Sequence, residues 1–179
     1  DTNSVVIDGK KVETDTLTVL FDDSYQIVSI YDKVNDREVL AEGGVGNEIR
    51  IYADYPDTYD NWEWQESSLD DYRVLTAVSA VETIDDGARR GIKITRPHMK
   101  STVEQTIWFY DDIAKIDFDT KIDWHQQHQM VKAAFPVDIN SMKATYDIQY
   151  GTIERPTHKN TSWDNAKFEV CAHKYADLS

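Results

Sequence analysis

Apolar and polar residues alternate along most of this chain with a period of two. In the clearest stretch, Ile116, Phe118, Ile122 and Trp124 stand against Asp117, Asp119, Lys121 and Asp123. One apolar and one charged face is the pattern of a half-buried antiparallel strand. Leu17, Val19 and Phe21 repeat it, Asp22-Asp23-Ser24 supplies a turn, and 25–31 runs back. That predicts a β-hairpin, with 32–36 as the next turn. Further strands are predicted over 49–55, 74–84, 92–96, 103–110, 130–139, 145–154 and 167–175, with Asp85-Asp86-Gly87 turning 74–84 back onto 92–96. No window of helical length places apolar residues at i, i+3 and i+4; 15–20 and 67–72 could hold one helical turn each. Many short strands between regular turn signals predict an all-β fold, an antiparallel β-sandwich, as a single domain over 1–179. The main loops are 40–47, where Gly43, Gly44 and Gly46 read as a flexible turn, and 55–71, rich in acids and aromatics.

A chain of 179 residues is long enough for an independent core, since a domain of this size buries about 70% of its unfolded surface. Its 33 acidic and 19 basic residues leave a formal charge of −14. Phosphate backbones and anionic membranes both need clustered Lys and Arg, so neither nucleic acid nor a membrane is an expected partner. The bland reading of the acidity is a soluble surface suited to the cytoplasm; the other is a surface that holds sugar hydroxyls through carboxylates. Cys171 is the single cysteine, which rules out a disulfide within the chain and suits a reducing compartment. Its setting, KFEVCAHKY, predicts an inward-facing strand position and inert packing. The first residues lack the basic-then-apolar pattern of a secretion signal, and no apolar run reaches membrane-spanning length.

Three constellations carry candidate chemistry. In YPDTYDNWEWQESSLDD, Tyr55, Tyr59, Trp62 and Trp64 lie beside Asp57, Asp60, Glu63 and Glu66. Sugars present apolar C–H faces rimmed by hydroxyls, which an aromatic plane with adjacent carboxylates matches. The same residues could equally pin a long loop to the sheet. His125 and His128 form an H-x-x-H, but i and i+3 point to opposite sides of an extended chain and no third ligand falls at a companion spacing. They read as polar strand-end residues, and no metal ligand is assigned. In 155–164, Arg155-Pro156 imposes an extended entry, while Asn160, Thr161 and Ser162 suit turn capping. Arg155 could equally pair with an acid of the sheet. Asp164 and Glu169 could form a glycosidase acid pair, but 33 acids offer many accidental pairs. There is no Gly-x-Ser-x-Gly and no phosphate loop, so no catalytic residue is assigned within the chain.

The last segment, RPTHxNTSWDxAxFEVCAHxxADLS over 155–179, resembles a signature of the glycoside hydrolase family 38 α-mannosidases, in their β-rich middle and C-terminal region. The block from Asp123-Trp124-His125 through His128 and Lys132 to Ala134–Ile139 resembles the same family, as does an opening hairpin carrying Phe21, Asp22, Ile27, Ser29, Asp32, Lys33 and Arg37–Leu40. The resemblance implies a galactose-mutarotase-like supersandwich. It implies a fragment of a larger enzyme that hydrolyses α-mannosides with retention, using a divalent metal, usually zinc. The nucleophile and metal ligands of such an enzyme lie in an N-terminal α/β domain and a helical segment, and their motifs, including His-x-Asp, do not occur here. This fragment alone is therefore expected to be inactive and to hold no cofactor. Its expected partners are the catalytic domain of the same polypeptide and a mannose-containing oligosaccharide. By the family's D-x-W-D pattern, Asp60 and Trp62 take a sugar-contact role, with Glu63 standing where Asp is usual. Through the same resemblance, Arg155, Asn160 and Trp163 are candidates for sugar contact in 155–164. Two other readings stay open: an autonomous carbohydrate-binding module, and a structural domain that forms homo-oligomers.

Overall fold

A computed structural model of the chain describes residues 4–59 and 64–179. The chain divides into two compact units, Asp1–Asp138 and Ile139–Ser179.

The first unit opens with a five-stranded antiparallel meander. It runs β1 (Val6–Asp8), β2 (Lys11–Glu13), β3 (Leu17–Phe21), β4 (Ile27–Asp32) and β5 (Arg37–Glu38), each pairing with the next. Of the segment 15–20, residues 17–20 are therefore strand, because the apolar residues there recur every second position and only one face can be buried. After β6 (Glu48–Ala53) comes a 3-10 turn over Glu66–Asp70, close to the helical turn foreseen at 67–72. β7 (Tyr72–Val74), β8 (Ala80–Asp85), β9 (Arg90–His98), β10 (Ser101–Phe109), β11 (Ile116–Asp123) and β12 (Gln129–Ala134) follow. The single strand expected over 74–84 is two strands in different sheets: β7 joins β6 and β12, while β8 joins β9, β10 and β11.

The core lies between the meander and the β8–β11 sheet. Val5, Val12, Val19, Phe21, Ile27 and Leu40 face Ile92, Ile94, Ile107 and Phe109, all nearly or fully excluded from solvent. Phe21 meets Phe109 edge to face, with centroids 6.5 Å apart and planes at 87°. Two antiparallel sheets sharing one apolar layer form the expected sandwich. A second cluster, Ile49, Ile51, Leu75 and Val103, joins the β6–β7–β12 sheet to the near end of β10. Between the clusters runs a buried polar belt. The Gln105 amide bonds Asn47 and donates to Thr120 Oγ1 at 2.7 Å. The Arg96 guanidinium donates to the carbonyls of Tyr25 at 2.8 Å and Thr76 at 3.3 Å. Burial pushes Arg96 below its ordinary pKa, partly offset by the charge of Asp22.

One loop departs from the sequence reading, and a close approach to glycine recurs on β9. The 40–47 loop is not a slack turn: a Cβ on Gly44 would fall 2.8 Å from Pro136 Cγ, and the N–H of Gly46 donates to the Ile27 carbonyl at 2.8 Å. Gly44 and Gly46 serve close packing, whereas Gly43, at φ 70° with open space around it, serves the left-handed turn. On β9, a Cβ on Gly91 would meet Trp108 Cε3 and the Ile107 carbonyl at 2.8 Å. The indole of Trp108 instead lies over the bare backbone, with the Arg89 guanidinium 4.1 Å from its ring.

The second unit holds β13 (Lys143–Ile148), β14 (Gly151–Pro156), the short helix α1 (Ser162–Asn165) and β15 (Ala176–Asp177), in sheet order β14-β13-β15. The strand expected over 145–154 is thus a hairpin, broken where Tyr150 turns left-handed at φ 64°. The strand expected over 167–175 does not form. Instead the Asp147 carboxylate accepts the backbone N–H groups of His173, Lys174 and Tyr175. A side chain thereby replaces a strand ladder, and those N–H groups, Lys174 foremost, hold Asp147 below the usual carboxylate range against the opposing effect of desolvation. Cys171 follows suit: it is exposed, not packed inward.

Phe109→Ala should cost about 3–5 kcal/mol in chemical denaturation, through lost burial and an unfilled cavity, whereas Phe109→Leu should cost markedly less. Glu38 offers a pH test. Its carboxylate accepts from Ser29 Oγ at 2.6 Å and from the N–H groups of Ile30, Val39 and Leu40 at 2.8–3.0 Å, pinning the β4–β5 hairpin. Desolvation pushes this carboxyl up, and the four bonds outweigh it and hold it down. A depressed folded-state pKa gives stability that is present above the unfolded value, about 4.3, and lost as pH falls through the folded value. Glu38→Gln should therefore lower stability at neutral pH by about 1–3 kcal/mol and flatten the acid limb of a melting-temperature profile below about pH 5.

Candidate functional site

The β6–β7–β12 sheet of the first unit floors an open cleft of about 600 Å³. Register sets the floor: Ile51 pairs with Arg73 and Val131, and Ala53 pairs with Gln129, so these side chains share one face. Asp71 and Arg73, two residues apart at the start of β7, rise on the same side. Neither the Asp71 carboxylate nor the Arg73 guanidinium has a hydrogen-bond or ion-pair partner among the described residues.

One wall is the tip of the β9–β10 hairpin, where His98 Nε2 lies 2.9 Å from Gln129 Oε1 and the imidazole stacks on Trp124 at 5.6 Å and 9°. The lip is aromatic. Tyr55, 72% exposed, stacks on His128 with centroids 5.2 Å apart and planes at 14°. Two cleft residues adopt left-handed backbone without being glycine, Met99 at φ 52° and His128 at φ 54°. Met99 takes the first position of a two-residue hairpin turn, where glycine is the natural choice, and its side chain is 78% exposed. Such a placement costs about 1–2 kcal/mol per residue and clusters where function demands it.

The opposite face of the same sheet is an aromatic and cationic layer. Tyr52 packs against Trp64 at 5.9 Å and Tyr72 at 5.2 Å, Arg50 lies 4.5 Å over the Tyr72 ring, and Lys132 lies 5.0 Å from Trp64. Part of the aromatic richness of 55–71 thus does pin the loop to the sheet. Asp60 and Trp62 lie outside the described residues.

In the second unit, a capping box starts α1: Thr161 Oγ1 accepts the Asp164 N–H at 3.2 Å and the Asp164 carboxylate accepts the Thr161 N–H at 3.1 Å. The Thr161 hydroxyl first, then its N–H, hold Asp164 below the usual carboxylate range, against desolvation. Asp164 is thereby a helix cap whose carboxylate also faces His158 Nδ1 at 3.6 Å. Glu169 stands in an exposed bend rather than on a strand. The box leaves the Trp163 indole 80% exposed. Arg155 lines a shallow hollow of about 380 Å³ with Glu154, Pro156, His158, Met142 and Lys143, its guanidinium 5.8 Å from the Tyr146 ring and its Nε buried without a partner. Asn160 and Trp163 are not part of that hollow. The structure therefore places Arg155 on β14, Asn160 in the loop after it and Trp163 on α1, and not around one cavity.

A divalent metal does not fit these residues. His125 pairs with Asp123 at 3.0 Å, His128 is stacked on Tyr55, and no group of three or more potential ligands converges among the described residues. Sequence reasoning missed Asp71, Arg73, His98 and Gln129. The Asp-x-Arg spacing was the one local signal, since i and i+2 share a side of a strand; the other two meet across 31 positions.

The matches to known proteins agree in kind. The family model described as "Glycosyl hydrolases family 38 C-terminal domain" matches residues 12–179. Alpha-mannosidase 2C1 of Homo sapiens is 34% identical over 166 residues, 91% of this chain but 16% of the relative. Alpha-mannosidase G of Dictyostelium discoideum is 33% identical over 176 residues, 94% of this chain and 16% of the relative. Alpha-mannosidase of Saccharomyces cerevisiae is 32% identical over 142 residues, 74% and 13%. The chain thus spans about one sixth of the length of the curated relatives it matches. No helix among the described residues is long and apolar enough to cross a membrane. With a β-sandwich core and a match over nearly its whole length, the chain belongs to the family of C-terminal domains of family 38 glycosyl hydrolases.

Proposed function

We propose that this chain is the β-sandwich part of a cytoplasmic α-mannosidase that releases mannose from oligosaccharides. It braces a catalytic domain of the same polypeptide and lends it loops. The observation that carries this reading is the family match over 12–179, joined to relatives that are named alpha-mannosidases. Bond cleavage in a retaining glycosidase needs two carboxyl groups about 5–5.5 Å apart across the scissile bond. We do not assign that role to the acid pair considered from sequence, Asp164 and Glu169. Asp164 is spent on the cap of α1, and both stand on one short exposed segment. The nucleophile and a divalent metal are assigned to the rest of the polypeptide.

The 155–164 loop is the contribution we assign to the sugar pocket. A capping box fixes its helix without help from a core, and Trp163 stands exposed at its first turn. An exposed indole held by a preformed turn loses little entropy on stacking against a sugar ring. Arg155 supplies donors for hydroxyls or for a carboxylate of the neighbouring domain.

Purified 1–179 should release no 4-nitrophenol from 4-nitrophenyl α-mannoside with zinc present; steady turnover would overturn the assignment. In the full-length polypeptide, Trp163→Ala should lower kcat/KM about tenfold with the melting temperature unchanged, in keeping with a lost stacking contact of about 1–1.5 kcal/mol. Unchanged kinetics would remove Trp163 from the pocket.

A further inference from the structure

We infer that the cleft on the β6–β7–β12 sheet is a saccharide-binding site, in which Tyr55 stacks on one hexose unit of an oligosaccharide and Asp71, Arg73 and Gln129 hold its hydroxyls. A volume of about 600 Å³ is that of a small-molecule site rather than a packing defect. The ligand class follows from what the lining offers. Tyr55 presents a flat exposed ring, backed by His128 so that it cannot fold away. Asp71 and Arg73 stand side by side with unspent hydrogen-bonding capacity, one an acceptor only and the other a donor only. A pair of vicinal hydroxyls uses both at once, each hydroxyl being donor and acceptor. A phosphate would meet Arg73 but be repelled by Asp71, and a wholly apolar ligand would leave both charges buried and unmet. Gln129 is oriented by His98 through its carbonyl oxygen, which turns the amide N–H₂ free for a third hydroxyl.

Met99 supplies the observation that packing alone does not explain. A large apolar side chain is held in a left-handed turn and left 78% exposed at the cleft edge. A flexible thioether there can close over the apolar face of a sugar ring from the side opposite Tyr55. His128 is left-handed too, and its backbone carbonyl accepts the Asp54 N–H at 2.9 Å. The platform is therefore tied to the end of β6 and set before any ligand arrives.

The inference rests on the α-mannosidase reading only for the choice of mannose as first probe. The experiment is an NMR titration of the full chain, 1–179, with an α-linked mannobiose, with maltose and with adenosine monophosphate. The Met99 methyl and the His128 ring protons are followed, and each variant's melting curve is recorded. Saturable shifts with mannobiose, weakened at least tenfold in Tyr55→Ala and Arg73→Gln at unchanged melting temperature, are expected. Met99→Gly separates binding from architecture: glycine suits φ 52°, so a purely structural Met99 predicts equal or higher stability and unaltered affinity. Our reading predicts equal or higher stability with weaker binding. Saturable shifts with maltose but not mannobiose would keep the saccharide site and remove its link to mannosides. Absence of shifts with both sugars, a preference for the nucleotide, or wild-type affinity in Tyr55→Ala would each overturn the proposal.

Discussion

Everything in the first unit hangs on β10. Its alternate residues Val103, Gln105, Ile107 and Phe109 all point inward and are at most 7% exposed. Ile107 and Phe109 belong to the sandwich core, Val103 to the second cluster, and Gln105 to the polar belt between them. The strand is also paired on both edges, over Ser101–Phe109 to β9 and over Thr102–Phe109 to β11. A central strand that serves two clusters cannot slip by one residue without exposing both, so its register is strongly specified. Polar Gln105 at the junction adds to this, since a shifted register would bury an amide without partners.

That rigidity reaches the cleft directly. β10 begins at Ser101, 2% exposed, whose hydroxyl accepts the His125 N–H at 2.8 Å and the Gln126 side-chain amide at 3.1 Å. The residues leading to His128 are thereby fastened to the first residue of the core strand. The same hairpin carries His98 and Met99 on its other arm and tip. Core, hairpin tip and cleft lip form one mechanical chain. This is why two left-handed non-glycine residues can persist side by side: the strain at each is small beside the burial that over-determines the strands between which they lie.

How much of this was legible in the sequence depended on range. Period two exposed the sandwich, and the 17–31 hairpin stands as read, with Asp22 accepting the N–H groups of Ser24 and Gln26 at 2.8 Å. The pattern over 116–124 gave the strand, yet its apolar residues do not share one core: Ile116 and Phe118 pack on the sandwich core and Trp124 on the second cluster, while Ile122 is 45% exposed. Alternation reports which face could be buried, not how far the facing sheet extends. The hairpin hidden in 145–154 escaped because a tyrosine, not Asn or Gly, takes the left-handed turn position. The false strand at 167–175 had the right alternation, but its N–H groups were claimed by Asp147, 26 or more residues away. For the cleft, Tyr55 could be flagged on composition. Asp71 and Arg73 gain meaning only from the β6–β7 register, and His98 only from its contact with Gln129.

The exposed aromatic residues Tyr55 and Trp163 are presented by opposite means, which bears on how each can act. Tyr55 and His128 are held from below, by strands whose stability is that of the whole sandwich. Trp163 is held from within its own turn, by a capping box worth on the order of 1 kcal/mol and closed by residues three apart. The first arrangement resists deformation and suits a surface that must be ready in the free domain. The second is local enough to adjust a few degrees without disturbing any sheet, as a contact completed by another domain requires. A stiff platform and a compliant one on the same polypeptide follow from one difference in the sequence: the cleft residues are separated by whole strands, the capping box by a single helical turn.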